Sequence, residues 1–183
     1  MNLTVKTISK KLQSYKKIRT LYKSAFPRKE RFPNAVLRMM ELFKIIKALA
    51  FYDGNQLCGF SYLIVQEKAV FIMYLAVNDE LRGKGYGSEI LKCIKSKYPD
   101  KTIILDIEEL NQQAKNYEQR IRRVQFYKRN GFFQTNLYFT MRGVRYEIMS
   151  ADAAFTESDY NEFWKNVYKK RLHKRKSAEA EGE

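Results

Sequence analysis

The sequence predicts an α+β domain in which a mixed, mostly antiparallel sheet is covered by helices. Three observations carry that expectation. Residues 48–77 hold three apolar strand patterns in succession, broken only by tight-turn residues. The later run Thr102–Glu108 (TIILDIE) is reached through a helical segment, so it suits a buried strand parallel to the one before it. Helical apolar spacing flanks these strands on both sides.

Taken in order, LTVKTIS alternates like a short strand. Lys10–Ala25 reads as a helix, with Leu12, Tyr15, Ile18, Leu21 and Tyr22 at helical spacing. The segment FPRKERFP breaks it, and a second helix is predicted over about Asn34–Ile46. Three strands follow as a meander, turning at Asp53–Asn55 and at Glu67–Lys68. A glycine turn leads into a helix over Gly87–Tyr98, stopped by Pro99. After TIILDIE, a long helix is predicted over Asn111–Asn130 and closes at Gly131. The run FFQTNLYFTMRGVRYEIMS is a hairpin turning at Arg142–Gly143. A last helix spans about Glu157–Lys176.

Bulk properties narrow the possibilities. With 183 residues, 45% hydrophobic, 12 Phe and 13 Tyr, the chain supports one well-buried domain, expected over residues 1–176. The polar end SAEAEGE, residues 177–183, is expected to be disordered. The start, MNLTVKTISKK, has no apolar core of a secretion signal, so a cytoplasmic location is expected. No apolar run reaches the length of a membrane span. The single histidine, His173, leaves little for zinc hydrolysis or a histidine-based triad, and no metal ligands are expected. Cys58 and Cys93 lack metal-ligand spacing and read as small buried thiols. The net charge of +15 favours an anionic partner: a phosphate-rich cofactor, an acidic peptide, nucleic acid or a membrane surface.

The turn DELRGKGYGS selects among these. Successive amides leading into a helix form an anion nest, and the helix dipole reinforces it. No Walker loop fits, and the dinucleotide fingerprint fails because position 88 is Ser. Asp106, some 20 residues on, mimics a ribose-binding acid, yet five residues (Asn78–Arg82) separate the strand from the first glycine. A glycine turn without a ligand is the plain alternative.

What remains is R-x-x-G-x-G, carried by Arg82, Gly85 and Gly87 after LAV. With FYKRNGF (Phe126–Phe132) downstream and the same order of elements from about Ile8 to Ser150, the sequence resembles the GNAT superfamily of N-acetyltransferases. That resemblance implies a GNAT-like sheet with a parallel strand pair at an acetyl-CoA cleft, and acetyl-CoA as acetyl donor. It implies that the backbone of Leu75, Ala76 and Val77, splayed by a bulge, holds the pantetheine arm. It implies that Arg82, Gly83, Lys84, Gly85, Tyr86, Gly87 and Ser88 hold the diphosphate, and that Tyr127 meets the thioester sulfur.

Amine acetylation fits these residue types. A lysine-like amine with pKa about 10.4 is neutral in roughly one molecule in 10³ at pH 7, so a base worth about 10²–10⁴-fold matters. Glu108 and Glu109 follow the strand ILDI, where the resemblance implies that two parallel strands part, and alternation favours Glu108 as that base. A solvated strand end is the bland alternative for both. A tyrosine hydroxyl suits hydrogen bonding to the departing thiolate better than full proton transfer, because a thiol is the stronger acid by about 1.5 pKa units.

On the long helix, Tyr117, Ile121 and Val124 form the stripe expected to face the sheet. Asn116, Arg120, Arg123 and Tyr127 share a neighbouring face, so the first three are expected to line the cofactor groove or the acceptor mouth; a solvated basic face is the alternative. The sequence departs from the family in one place. The family's Asn-x-x-Ala usually precedes the tyrosine by seven residues, but NQQA (Asn111–Ala114) lies 16 before it, and Arg120 takes the usual Asn slot.

The C-terminal run NEFWKNVYKKRLHKRK puts Tyr160, Phe163, Trp164, Val167, Tyr168 and Leu172 on one stripe, away from most of Lys165, Lys169, Lys170, Lys174 and Arg175. A docked amphipathic helix, a nucleic-acid or acidic-partner contact and a membrane-surface helix all fit. The expected function is N-acetyl transfer to a primary amine of a small molecule, peptide or protein, by a monomer or homodimer. The rival is a non-catalytic binding protein of the same fold that uses its basic surface on RNA or an acidic protein.

Overall fold

The computed structural model describes the backbone of residues 1–180 and side chains through residue 169. Seven strands form one sheet: β1 (Thr4–Thr7), β2 (Lys47–Asp53), β3 (Gln56–Val65), β4 (Ala69–Val77), β5 (Thr102–Glu108), β6 (Phe133–Met141) and β7 (Val144–Ser150). Their order is β1-β2-β3-β4-β5-β7-β6. Every neighbouring pair is antiparallel except β4–β5, the parallel pair expected from the sequence.

Five helices cover the sheet: α1 (Tyr15–Ala25), α2 (Asn34–Leu42), α3 (Tyr86–Lys97), α4 (Tyr117–Arg129) and α5 (Glu157–Ala180). One face carries α1, α2 and α5 over a core that includes Ile18, Tyr22, Leu37, Phe60, Phe71 and Phe163. The other carries α3 and α4 over Phe51, Leu63, Ile90, Ile94, Val124 and Phe132. Ile90, Leu91 and Ile94 are at most 1% exposed, and burial of each stabilises the α3 contact by about 1.5–3 kcal/mol. Close approach of α3 needs Gly59 on β3. A Cβ there would stand 2.3 Å from the Ala76 carbonyl oxygen and 2.8 Å from Ile90 Cδ1.

Several boundaries differ from expectation for local reasons. Helix α1 starts at Tyr15, not Lys10, because residues 9–15 form successive turns (Leu12 N–H to the Ser9 carbonyl, Tyr15 N–H to the Leu12 carbonyl). Helix α2 stops at Leu42, since Lys44 takes a left-handed φ of 53° and the chain turns back, burying Ile46. Helix α4 begins at Tyr117 rather than Asn111. The Asn111 side chain accepts the Gln113 amide, which sets turns in place of helix. Helix α5 runs to Ala180, beyond the expected end at 176, with Phe163 and Val167 buried against the domain. The expected side-chain placements of Lys170, Leu172, Lys174 and Arg175, and the tail residues 181–183, lie outside the described residues. No described helix is long and apolar enough to cross a membrane.

Candidate active site

The cleft forms where β4 and β5 part. Their last paired residues are Ile72 and Leu105. Beyond them β5 pairs with β7 alone, and β4 continues on β3. Opposite β3, the register slips between Tyr62 (facing Tyr74) and Leu63 (facing Ile72), so Met73 is the extra residue of a bulge. The edge of β4 over Met73–Val77 is therefore unpaired and faces an opening of about 540 Å³.

At the far end of β4 the chain is pinned before it enters α3. The Asn78 amide donates to the Cys58 carbonyl and its side chain to the Leu57 carbonyl. Buried Leu81 anchors the short turn that follows. Gly85, at φ +84°, reverses the chain into the helix, a conformation that costs a Cβ-bearing residue about 1–2 kcal/mol. The Tyr86 hydroxyl donates to Asp53 Oδ2 at 2.8 Å and holds the first turn in place. No acceptor among the described residues takes the amides of Gly83, Gly85, Tyr86 or Gly87. Four free N–H groups at a helix N-terminus make an anion site. Arg82 stands beside them, held by an exposed ion pair to Asp79 (2.6 Å) that is weak enough to exchange for another anion.

Tyr127 reaches the cleft from α4, its ring packed edge-on against Phe126 and Phe132. Its hydroxyl bonds to no described residue, and burial pushes its pKa up to about 12. Glu108 is held firmly. Its Oε1 accepts from Arg120 (2.8 Å), and its Oε2 accepts from Asn116 (3.1 Å) and Arg123 (3.3 Å). Arg120 also donates to Asn116 Oδ1 and to the Glu109 carbonyl, closing the approach to α4 against the end of β5.

Leu75, Ala76, Val77, Arg82, Gly83, Gly85, Tyr86, Gly87, Ser88, Glu108, Arg123 and Tyr127 all line the cleft. Lys84, Asn116 and Arg120 do not. Lys84 follows the outside of the turn, while Asn116 and Arg120 turn to Glu108 and so hold the wall from behind.

Two lining carboxylates had no motif to mark them. Asp106 is the first residue of β5 past the last β4 pair. Burial raises its carboxyl pKa to about 7, with Glu30 adding to the rise and Arg123 opposing it. An acid alone in an apolar strand was the available signal. Glu30, in the loop between α1 and α2, is likewise raised by burial and by Glu108; a single acid in a basic loop gave no signal. Among the described residues no group of His, Cys, Asp and Glu could hold a metal ion.

Comparison with known proteins agrees with this geometry. The model of the acetyltransferase (GNAT) domain matches residues 46–134. No curated protein sequence matches the chain. Among solved structures, an acetyltransferase assigned to the GNAT family from Bacteroides thetaiotaomicron superposes with a TM-score of 0.75 at 21% identity, over 90% of this chain and 96% of that one. An aminoglycoside 6'-N-acetyltransferase complexed with coenzyme A gives 0.60 at 17%, over 80% and 95%. A GNAT family acetyltransferase from Elizabethkingia anophelis with acetyl-CoA bound gives 0.57 at 12%, over 81% and 97%. The bulge, the parted strands, the glycine turn and Tyr127 all lie within residues 46–134, the stretch of the chain that matches the GNAT acetyltransferase domain.

Proposed function

We propose that the protein transfers the acetyl group of acetyl-CoA to a primary amine by direct attack, with both substrates in the cleft together. The observation that carries this reading is the pairing of four unpartnered amides at the start of α3 with the unpaired edge of β4. The first suits a diphosphate and the second suits an amide-bearing arm, and one continuous cleft leads from them to Tyr127. The residues therefore fit coenzyme A. Gly83, Gly85, Tyr86 and Gly87 would hold its diphosphate with Arg82, and Leu75–Val77 its pantetheine. Two structural relatives with coenzyme A or acetyl-CoA bound support the same assignment.

Bound acetyl-CoA supplies an acyl carbon joined to a good leaving group. Tyr127 donates a hydrogen bond where negative charge builds on sulfur. With its hydroxyl at about 12 and a thiol near 8.5, complete proton transfer from Tyr127 is uphill by roughly 5 kcal/mol, so it acts as a donor that keeps its proton. Glu108 is proposed as the carboxylate that holds Arg120 and Arg123 in place. With three donors on its two oxygens, it has little capacity left to act as a base.

Purified protein incubated with acetyl-CoA and a panel of primary amines, following free thiol release, tests the proposal. Amine-dependent thiol release together with thermal stabilisation by coenzyme A supports it. Absence of both, with steeply salt-dependent RNA binding, overturns it in favour of the binding-protein alternative.

A further inference from the structure

Building on the acetyl-transfer reading, we propose that Asp106 is the catalytic residue that takes the proton from the acceptor ammonium, and that Glu30, presented across the cleft by a clamped loop, draws that ammonium in. Neither residue belongs to a motif of the chain.

Position is the first argument. Asp106 sits at the fork of the parted strands, one residue beyond the Ile72–Leu105 pair. By alternation it shares a face with Ile104, which belongs to the core beneath α1, α2 and α5. Its carboxylate therefore looks toward the loop joining α1 and α2 rather than toward the α3 turn. Its hydrogen-bond partner is its own backbone amide, whereas Glu108 two residues on is tied to three donors. Of the two, Asp106 keeps lone pairs available to an incoming N–H.

The loop that carries Glu30 is fixed from three directions. Arg142, at the tip of the β6–β7 hairpin, donates to the Lys29 carbonyl at 2.8 Å and lies over the Phe32 ring. The Tyr74 hydroxyl donates to the Glu30 carbonyl at 2.7 Å and accepts from the Phe32 amide at 3.2 Å. The Tyr22 hydroxyl donates to the Phe32 carbonyl at 3.1 Å. An eight-residue surface loop needs no such fastening for its own sake. What the fastening does is place one carboxylate, that of Glu30, on the wall of the cleft facing Asp106.

Charge completes the case. The groups facing Asp106 are Glu30 from the loop, Arg123 from α4 and Glu108 on its own strand, with the hydroxyls of Tyr74, Tyr127, Tyr146 and Tyr160 from β4, α4, β7 and α5. The guanidiniums of Arg120 and Arg123 are both bonded to Glu108, and no described cation is bonded to Glu30 or Asp106, which leaves negative charge between those two carboxylates. A single ammonium offsets it. The acceptor class this selects is a small amine with a positively charged reacting end, in a protein whose overall charge of +15 would otherwise repel it.

The proton step balances simply. One N–H bond of the ammonium breaks and an O–H bond forms on Asp106, leaving the nitrogen lone pair free to attack. As the C–N bond forms and the C–S bond breaks, the second N–H proton passes to the departing thiolate. The carboxylic acid returns its proton to water after product leaves. A base with a pKa of about 7 matches the pH at which such a base works best, where an ordinary aspartate near 3.9 does not.

The test uses the full chain and the variants Asp106→Asn, Glu30→Gln and Glu30→Asp. Probe amines are butylamine, 1,4-diaminobutane and an N-terminally blocked lysine. Asp106→Asn is expected to lower kcat by about 100-fold or more at pH 8 with calorimetric coenzyme A affinity unchanged. Glu30→Gln is expected to raise amine KM about tenfold, to leave kcat within about threefold at pH 8, and to move the acid limb of the rate profile to lower pH, with Glu30→Asp restoring part of each. Carboxyl NMR of the wild-type protein is expected to show Asp106 titrating near 7, and lower in Glu30→Gln. Undiminished kcat in Asp106→Asn, or an Asp106 midpoint below about 5, overturns this inference alone. A wild-type protein that binds no coenzyme A overturns the acetyl-transfer reading and this inference with it.

Discussion

Replacing Tyr127 with Phe removes one hydroxyl and leaves the ring contacts to Phe126 and Phe132, whose centroids lie 5.1 and 5.7 Å away. The fold should therefore be nearly unaffected. No described residue relies on that hydroxyl as donor or acceptor, so its loss strands no partner. Its proposed work is a single hydrogen bond to a thiolate, and a bond to a charged group is worth about 1.5–3 kcal/mol. At 1.36 kcal/mol per decade this predicts a kcat lower by about 10- to 150-fold. Coenzyme A affinity, set at the α3 turn and the β4 edge, should stay within about twofold. Steady-state kinetics by thiol release with calorimetric titration of coenzyme A reads both quantities. An unchanged kcat would remove the donor role. A loss beyond about 10⁴-fold would instead show obligate proton transfer, against the gap of roughly 3.5 pKa units.

Other changes act through different parts of the structure. Gly85→Val puts a β-branched side chain at φ +84° beside the free amides, and coenzyme A affinity by calorimetry should fall at least about tenfold. Arg120→Met strips a partner from Glu108, which is only 8% exposed. Chemical denaturation should show a loss of up to about 3–5 kcal/mol, moderated by Asn116 and Arg123, which stay. Asp106→Asn should raise stability with a definite pH dependence. Folding raises the carboxyl pKa, so the associated stability is full when Asp106 is protonated, below about pH 4, and is lost as pH rises through about 7. The variant should gain on the wild type over that window by at most about 4 kcal/mol, measured by denaturation at pH 4.5 and pH 8.

The parts of this molecule legible in the sequence are those whose cause is local. Alternation and turn residues located β2, β3 and β4, and a helix between two apolar runs implied the parallel β4–β5 pair. The glycine turn announced itself through residue types that an anion nest requires. What was hidden depends on contacts distant in sequence. Asn116, Arg120 and Arg123 look like one polar helix face, yet the first two turn to Glu108 because the splayed end of β5 brings that carboxylate within 3 Å of Arg120. The start of α4 was misplaced because an asparagine side chain competes with the helix for the Gln113 amide. Asp106 stood out as an acid in an apolar strand, but its exposure to the cleft depends on where β4 leaves β5. Glu30 depends on three tyrosine and arginine anchors from separate elements, which no local pattern encodes.

Titration of the ¹⁵N-labelled protein with coenzyme A tests the central assignment most directly. Binding at the α3 turn predicts that the amide resonances of Gly83, Gly85, Tyr86 and Gly87 shift furthest downfield as new hydrogen bonds form, followed by those of Leu75–Val77. Saturable binding that leaves those amides unmoved and perturbs another surface would contradict it.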